Sequence, residues 1–76
     1  MAQINDASSK IAQAKEVGAE SLAPYEYYCA TSHLTKAMSE AAEGDYSDAI
    51  DFAEVAQQYA DKAIKLSREA RGGAGR

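Results

Sequence analysis

The sequence predicts an all-α fold: an antiparallel helical hairpin preceded by an N-terminal helix, three helices in all. The main observation is a run of small residues in the last third of the 76-residue chain, spaced alternately four and three apart. These positions are Ala49, Ala53, Ala56, Ala60, Ala63, Ser67 and Ala70. A repeat of about 3.5 residues lines one side of a helix, and methyl-sized side chains let a partner helix approach closely. Two boundaries, at Ala23-Pro24 and Gly44-Asp45, separate the three helices.

The first helix is predicted from about Asp6 to Leu22. Asn5 or Asp6 is a suitable N-cap, because a short polar side chain accepts a hydrogen bond from a free backbone N–H group of the first turn. Gly18 lies inside this helix, where glycine costs ~1 kcal/mol relative to alanine. It serves either for close packing or to end the helix early.

Proline and glycine mark the ends of the second helix. Proline disfavours helical geometry in the residue before it and is favoured at the first position of a helix, so this helix runs from Pro24 to about Glu43. Gly44 suits the left-handed position after a helix, and Asp45 suits the next N-cap.

The third helix is predicted from Tyr46 to about Arg71. The short connection before it makes the last two helices antiparallel. The three helices form a single alanine-rich domain of residues 1–71, and residues 72–76 form a disordered glycine-rich tail.

The composition predicts a thin hydrophobic core. Hydrophobic residues make up 46% of the chain, but 17 residues are alanines, which bury little area each. A chain of this length buries only about 60% of its unfolded surface. The single cysteine excludes an internal disulfide, and no set of metal ligands clusters in the sequence. Self-association is the remaining common way to stabilise such a chain, so we expect a homodimer or a larger assembly.

The net charge of −4 and the pI of about 4.8 argue against some partners. Phosphate groups bind basic surfaces, so we expect no nucleic acid partner. No hydrophobic run is long enough to span a bilayer, so we expect no transmembrane segment. No signal peptide is visible, and the start Met1-Ala2-Gln3 is compatible with a native start or with a leader that has been removed.

The charges of the third helix are sorted by sign. Acidic residues crowd its start and basic residues crowd its end: Asp45, Asp48, Asp51 and Glu54, then Lys62, Lys65, Arg68 and Arg71. This order complements the helix macrodipole, which is the interpretation we favour. The alternative is a charged docking strip.

Few residues could carry chemistry. Glu26, Cys29 and His33 are spaced three and four apart and share one helix face, where a metal ion or a cysteine nucleophile is conceivable. Zinc requires four ligands, or three and a water molecule, and the sequence has no second cysteine or histidine. We therefore expect no metal, no cofactor and no enzymatic activity, with a buried Cys29 and an exposed His33.

The acidic residues around the second boundary are too sparse for a calcium loop and predict a solvated acidic end. They are Glu40, Glu43, Asp45 and Asp48.

Three tyrosines cluster at the start of the second helix: Tyr25, Tyr27 and Tyr28. One interpretation is packing between helices with the hydroxyl group reaching solvent; the other is an aromatic contact patch for a partner protein or glycan. Since residues at these spacings cannot all face one way, at least one should be exposed and is a candidate contact residue. The predicted interaction residues are these tyrosines and the alanines Ala49, Ala53, Ala56, Ala60 and Ala63.

The second boundary also carries a family resemblance. Gly44-Asp45-Tyr46 leads into a helix with small residues at fixed offsets, Ala49, Ala53 and Ala56. This combination resembles the middle of a tetratricopeptide repeat. The resemblance implies a tetratricopeptide-like hairpin with a groove that binds a protein or peptide.

A second resemblance extends over most of the chain. It rests on residues 17–27, on Leu34-Thr35-Lys36-Ala37, on Gly44-Asp45-Tyr46 and on the alanine ladder. Together they look like an alanine-rich helical domain of unknown function found in small envelope lipoproteins of Gram-negative bacteria, sometimes ahead of a peptidoglycan-binding domain. The resemblance implies a mature domain that is exported to the periplasm and tethered by a lipidated cysteine upstream, whereas the single cysteine here, Cys29, lies inside the second helix.

We therefore expect a non-enzymatic structural protein of the bacterial cell envelope that acts through helix–helix self-association, with the alanine stripes making the contacts. The alternative is a tetratricopeptide-like adaptor that binds a partner protein or peptide. The expected partner is a further copy of the chain, with another envelope protein as a second candidate. The resemblance implies the periplasm or the outer membrane as the location; without it, we expect the cytoplasm.

Overall fold

Every regular element in residues 1–74, the part of the chain that the computed structural model describes, is a helix. The elements are α1 (Ala2–Glu16), α2 (Ala19–Leu22), α3 (Pro24–Ala42) and α4 (Tyr46–Ala74). The all-α prediction is confirmed. The predicted number of three helices is wrong, because the first predicted helix is divided into α1 and the single turn α2. The molecule is elongated, 49 × 19 × 15 Å, since the 29 residues of α4 alone extend about 43 Å.

Gly18 divides the first predicted helix. Its φ of +86° lies in the left-handed region, which glycine adopts without the steric cost of a Cβ atom. A Cβ atom at this position would also lie 2.8 Å from Nη2 of Arg71 in α4. Gly18 thus both ends α1 early and lies close to α4. At its other end α1 begins at Ala2, so neither Asn5 nor Asp6 is its N-cap.

The turn between α3 and α4 has the predicted residues at its key positions. Gly44 has a φ of +81°, and its N–H group donates to the Ala41 carbonyl at 3.0 Å. Asp45 precedes α4, where its Oδ1 accepts a hydrogen bond from the Asp48 N–H at 3.4 Å. Its carbonyl accepts the bond from the Ala49 N–H at 3.0 Å. The left-handed glycine and the aspartate cap together reverse the chain.

Contacts between side chains show the directions of α3 and α4. Tyr25, at the start of α3, packs against Tyr59. Lys36, further along α3, lies over Phe52, which comes earlier in α4. The two helices therefore run in opposite directions.

The helix α1 runs in the same direction as α4 and lies against it from Gln57 onward. The Gln57 side chain donates to the Gln3 carbonyl at 3.4 Å, and Lys10 Nζ lies 2.8 Å from the Asp61 carboxylate. Ile11 of α1 belongs to the same buried cluster as Tyr27 of α3. Thus α1 fills the groove on one side of the α3–α4 pair.

The core is built around alanine. The α4 positions with no exposed surface are Ala49, Ala53, Ala56, Ala60, Ala63 and Ser67. Every position of the predicted seam is therefore buried except Ala70, which is exposed. Ile11, Tyr27 and Ile64 are the large buried side chains that complete the core.

The helix α4 continues to Ala74, beyond the predicted end at Arg71. Residues 72–74, which the sequence assigns to a disordered tail, are therefore helical, and residues 75–76 lie outside the described residues. None of the helices described here is long and apolar enough to cross a membrane.

Candidate interaction surface

The three clustered tyrosines of α3 point in different directions. Tyr27 is only 8% exposed, whereas Tyr25 and Tyr28 are 67% and 56% exposed. Consecutive residues of a helix are rotated by about 100°, so Tyr27 faces the core while its neighbours do not. The predicted tyrosine patch is therefore not a single surface, and Tyr25 and Tyr28 are its exposed members.

Five side chains form a surface that we call the aromatic face: Tyr25 and His33 of α3, with Phe52, Tyr59 and Leu66 of α4. The ring centroids of Tyr25 and Tyr59 are 6.4 Å apart, edge to face at 81°. The ring of His33 stacks on Tyr59, with centroids 5.5 Å apart, and lies 6.3 Å from Phe52. The rings thus form a continuous row that crosses between the two helices.

The aromatic face lies on the opposite side of α4 from α1. Gln57 and Asp61 contact α1. Tyr59 is two residues from each of them, which corresponds to a rotation of about 200° around the helix. Phe52 and Leu66, seven residues before and after Tyr59, share its direction, and all three side chains stay partly exposed in the described chain.

The sequence alone does not reveal the part that His33 takes in this surface. It predicts an exposed His33 and a buried Cys29, whereas both are half-buried. The His33 Nδ1–H group donates to the Cys29 carbonyl at 2.7 Å, which holds the ring against Tyr59. The seven-residue spacing of Phe52, Tyr59 and Leu66 in the sequence indicates the α4 part of this surface. Placing His33 beside Tyr59 also requires the register of α3 against α4.

Polar groups border the aromatic face. Lys36 Nζ lies 5.9 Å from the Phe52 ring centroid, a cation–π arrangement, and 4.0 Å from the Glu40 carboxylate. At the other end, the side chain of Cys29 and then the hydroxyl of Tyr59 raise the pKa of Tyr25 above its ordinary value.

Two shallow hollows open on the side of the molecule that carries the aromatic face. One, of about 180 Å³, is lined by Ser32, His33, Lys36 and Phe52. The other, of about 300 Å³, is lined by Val55, Gln58, Tyr59 and Lys62. Each hollow places a lysine beside an aromatic ring. A helix that carries apolar side chains next to acidic ones would fit this combination.

The side chains that could bind a metal ion either lie away from the aromatic face or already make a hydrogen bond. His33 Nδ1 already donates to a backbone carbonyl of its own helix. Carboxylate oxygens of Glu40, Asp45 and Asp48 lie within 4.8 Å of one another at the hairpin turn, and a hydrogen bond with the Asp45 side chain raises the pKa of Asp48. Oxygen ligands of this kind suit a hard cation, and Asp45 and Asp48 are exposed to solvent.

The five alanines of the predicted interaction surface lie inside the bundle. They are Ala49, Ala53, Ala56, Ala60 and Ala63, and each is 0% exposed. They let α4 approach other helices of the same chain. A second copy could reach them only if the bundle opened.

One family comparison covers nearly the whole chain. The model of DUF4398, a domain of unknown function, matches residues 2–74. The chain belongs to the DUF4398 family. The match extends over all four helices, so the family domain coincides with the bundle described above. No curated protein and no solved structure matches the chain significantly.

Proposed function

We propose that this DUF4398 chain is a non-enzymatic structural module that acts through helix–helix self-association. The observation that supports the proposal is the aromatic face, a row of partly exposed rings and a leucine on the side of α4 that α1 leaves free. Contiguous apolar surface bordered by polar groups is typical of interaction sites. Tyrosine and other aromatic side chains also supply much of the binding energy at protein interfaces.

In this proposal the contacts are made by the aromatic face and not by the alanine seam. The seam residues already pack α4 against its own chain, so using them twice would require unfolding. Tyr25, Tyr59 and Phe52 offer large side chains that are held in place by ring contacts. Such side chains lose little conformational entropy when a partner covers them.

The location that we propose is the bacterial cell envelope, with a tether outside the described residues. The support for this is the resemblance of residues 17–27 and of the Gly44-Asp45-Tyr46 turn to the domain of envelope lipoproteins. The tetratricopeptide-like character of the α3–α4 pair is proposed on the same turn and on the small residues that follow it. A structural role through self-association suits a small domain held near other copies of itself, because tethering raises the local concentration.

The experiment that tests self-association is the light-scattering mass of the chain after size exclusion, over a series of concentrations. We expect the mass to rise from that of a monomer to that of a dimer or a closed larger species. A monomer at every concentration would contradict the proposal. Circular dichroism on the same samples shows whether the helices are intact.

An adaptor function is the second candidate, and the two hollows on the side of the aromatic face favour it. Side chains of a bound peptide or helix would occupy the hollows beside His33 and Tyr59, with Lys36 and Lys62 facing its acidic groups. An adaptor is expected to be a stable monomer whose aromatic face stays open. The light-scattering series therefore separates the two functions.

A further inference from the structure

Eight charged residues in the α4 segment are placed symmetrically about one residue, whereas Asp61, which pairs with Lys10 of α1, and Glu69 have no basic counterpart. Each acidic residue of the first half of α4, starting at the capping Asp45, has a basic residue at the same distance on the other side of Gln58. The pairs are Asp45 and Arg71, Asp48 and Arg68, Asp51 and Lys65, and Glu54 and Lys62, at distances of 13, 10, 7 and 4 residues from Gln58. All eight side chains belong to exposed residues. A favourable interaction with the helix dipole requires only acidic residues near the start of the helix and basic residues near its end. It does not require that their distances from one residue be equal.

The α4 residues of the aromatic face are centred on the neighbouring residue, Tyr59. Phe52 and Leu66 lie seven residues before and after Tyr59, next to Gln58. The line of Asp51, Gln58 and Lys65 runs parallel to the line of Phe52, Tyr59 and Leu66, because residues seven apart share a face of a helix. Val55 and Lys62 lie between the two lines. One exposed strip of α4 thus has an apolar edge centred on Tyr59 and a charged edge centred on Gln58.

We infer that this strip of α4 binds the same strip of a second copy of the chain, with the two α4 helices antiparallel and a two-fold axis beside Gln58 and Tyr59. The inference rests on the proposed self-association and names its surface and its geometry. In this arrangement Asp51 of one copy faces Lys65 of the other, and Phe52 faces Leu66. Each of these contacts occurs twice, as a two-fold interface requires.

The charges select the antiparallel alignment. In a parallel pair the two-fold axis would run along the helices, so the charged edge of one copy would face the apolar edge of the other, with Asp51 of both copies at one height and Lys65 of both copies at another. Covering charged side chains with apolar ones is costly, and like charges at the same height add to this cost, so the parallel pairing is unfavourable. The apolar edge supplies the affinity, and the order of the charges determines the direction.

The first helix borders the charged edge of the strip but does not cover it, because Gln58 is exposed although it lines a hollow together with Gln3 and Asp6 of α1. Its partners in α4, Gln57 and Asp61, lie on the far side from Tyr59. A second copy on the strip would therefore complete a core of four long helices, the α3–α4 pair of each chain. One α1 helix would lie on each outer side.

Charge reversal at Asp51 and Lys65 tests the inference. We expect Asp51→Lys and Lys65→Asp each to weaken the dimer about tenfold at low salt, because each removes two exposed ion pairs and creates two like-charge contacts. The double variant, Asp51→Lys with Lys65→Asp, is expected to restore the dissociation constant of the original chain. The two residues are about 21 Å apart along one helix, so the rescue cannot occur within a single chain.

Glu16→Lys is the matched control, since it makes the same change of charge on an exposed residue of α1. It is expected to leave the dissociation constant unchanged. Sedimentation equilibrium measures the dissociation constant of all four variants, and circular dichroism shows whether their helices are intact. If the original chain is a monomer at every concentration, self-association and this inference both fail. If it is a dimer that the single reversals leave intact, or that the double variant does not restore, only this inference fails.

Discussion

The rings of His33 and Tyr59 stack across the interface between α3 and α4, with centroids 5.5 Å apart and planes inclined by 26°. The His33 ring is held in this position by the bond from its Nδ1–H group to the Cys29 carbonyl. The contact joins the two long helices on the side that α1 does not cover. The same contact therefore stabilises the hairpin and holds the rings of the aromatic face in place.

A double-mutant cycle on His33→Ala and Tyr59→Leu measures this coupling. We expect an interaction free energy of about 0.5–1.5 kcal/mol, because aromatic pairs contribute this much beyond the area that they bury. Urea denaturation of the two single variants and the double variant gives the value. The matched cycle on His33→Ala and Tyr28→Leu should be additive, since these side chains do not meet. Equal results from the two cycles would contradict the stacking interaction.

Replacing Ser67 with alanine is expected to stabilise the bundle by about 1 kcal/mol. The Ser67 Oγ is buried and has no hydrogen-bond partner among the described residues, and a buried hydroxyl without a partner carries a desolvation penalty. Thermal unfolding followed by circular dichroism measures the change. Ser39→Ala, at an exposed position of α3, serves as the control. A lower melting temperature for Ser67→Ala would mean that the hydroxyl has a partner, such as a buried water molecule.

Replacing Ala56 with leucine tests the seam. Ala56 has no exposed surface, so the added side chain must displace its neighbours, and we expect a loss of about 1–3 kcal/mol in the free energy of unfolding. Ala70→Leu, at the exposed end of the predicted seam, should change the stability little. An unchanged melting temperature for Ala56→Leu would show that the helices do not meet closely there.

Two substitutions of Gly44 separate backbone strain from side-chain contacts. Nothing lies within 4 Å of a Cβ atom built at Gly44, so any cost comes from its φ of +81° alone. Gly44→Ala is expected to cost about 1–2 kcal/mol, because a Cβ atom disfavours the left-handed region. Gly44→Asn should cost clearly less, since asparagine visits this region more readily. Equal losses in urea denaturation would contradict this explanation.

The pKa of Asp48 is expected to fall toward its ordinary value in Asp45→Asn. A hydrogen bond with the Asp45 side chain and the charge of that carboxylate raise the Asp48 pKa. A raised pKa means that the folded state binds the proton more tightly than the unfolded state. The contribution to stability is therefore present below the ordinary pKa and is lost as the pH rises through the raised one. Titration of the side-chain carboxyl carbons by NMR measures the shift.

The control for this titration is Asp45→Ala. Asparagine caps a helix about as well as aspartate, whereas alanine does not, so only Asp45→Ala should lower the melting temperature, by the equivalent of about 1 kcal/mol. An Asp48 pKa that stays raised in Asp45→Asn would assign the shift to another neighbour, such as Asp51.

Much of the fold follows from local signals in the sequence. Pro24, Gly44 and Asp45 mark the helix boundaries because each imposes or permits one backbone conformation. The conformation of Gly18 does not follow from local signals, because glycine inside a helix and glycine at a helix end give the same sequence pattern. In the structure Gly18 is left-handed and lies close to Arg71 of α4. The early start of α1 at Ala2 likewise depends on packing against α4, which the N-cap rules do not include.

The surface was less predictable than the core. The spacing of Tyr25, Tyr27 and Tyr28 shows that they diverge, but not which of them faces the core. That depends on the position of α1, which buries Tyr27 with Ile11. His33 joins Tyr59 only because the register of α3 against α4 brings them together, and a register between helices is not a local property.

The sequence by itself therefore determined that this protein is helical, where its long helices meet and which small residues form the seam, because periodicity and turn chemistry act over a few residues. It also contains the four matched pairs of opposite charges about Gln58. The tertiary structure decided that the alanines are used within the chain, and that the side of α4 carrying Phe52, Tyr59 and Leu66 is the one left open. The physical reason is that α1 can fill only one of the two grooves beside the α3–α4 pair.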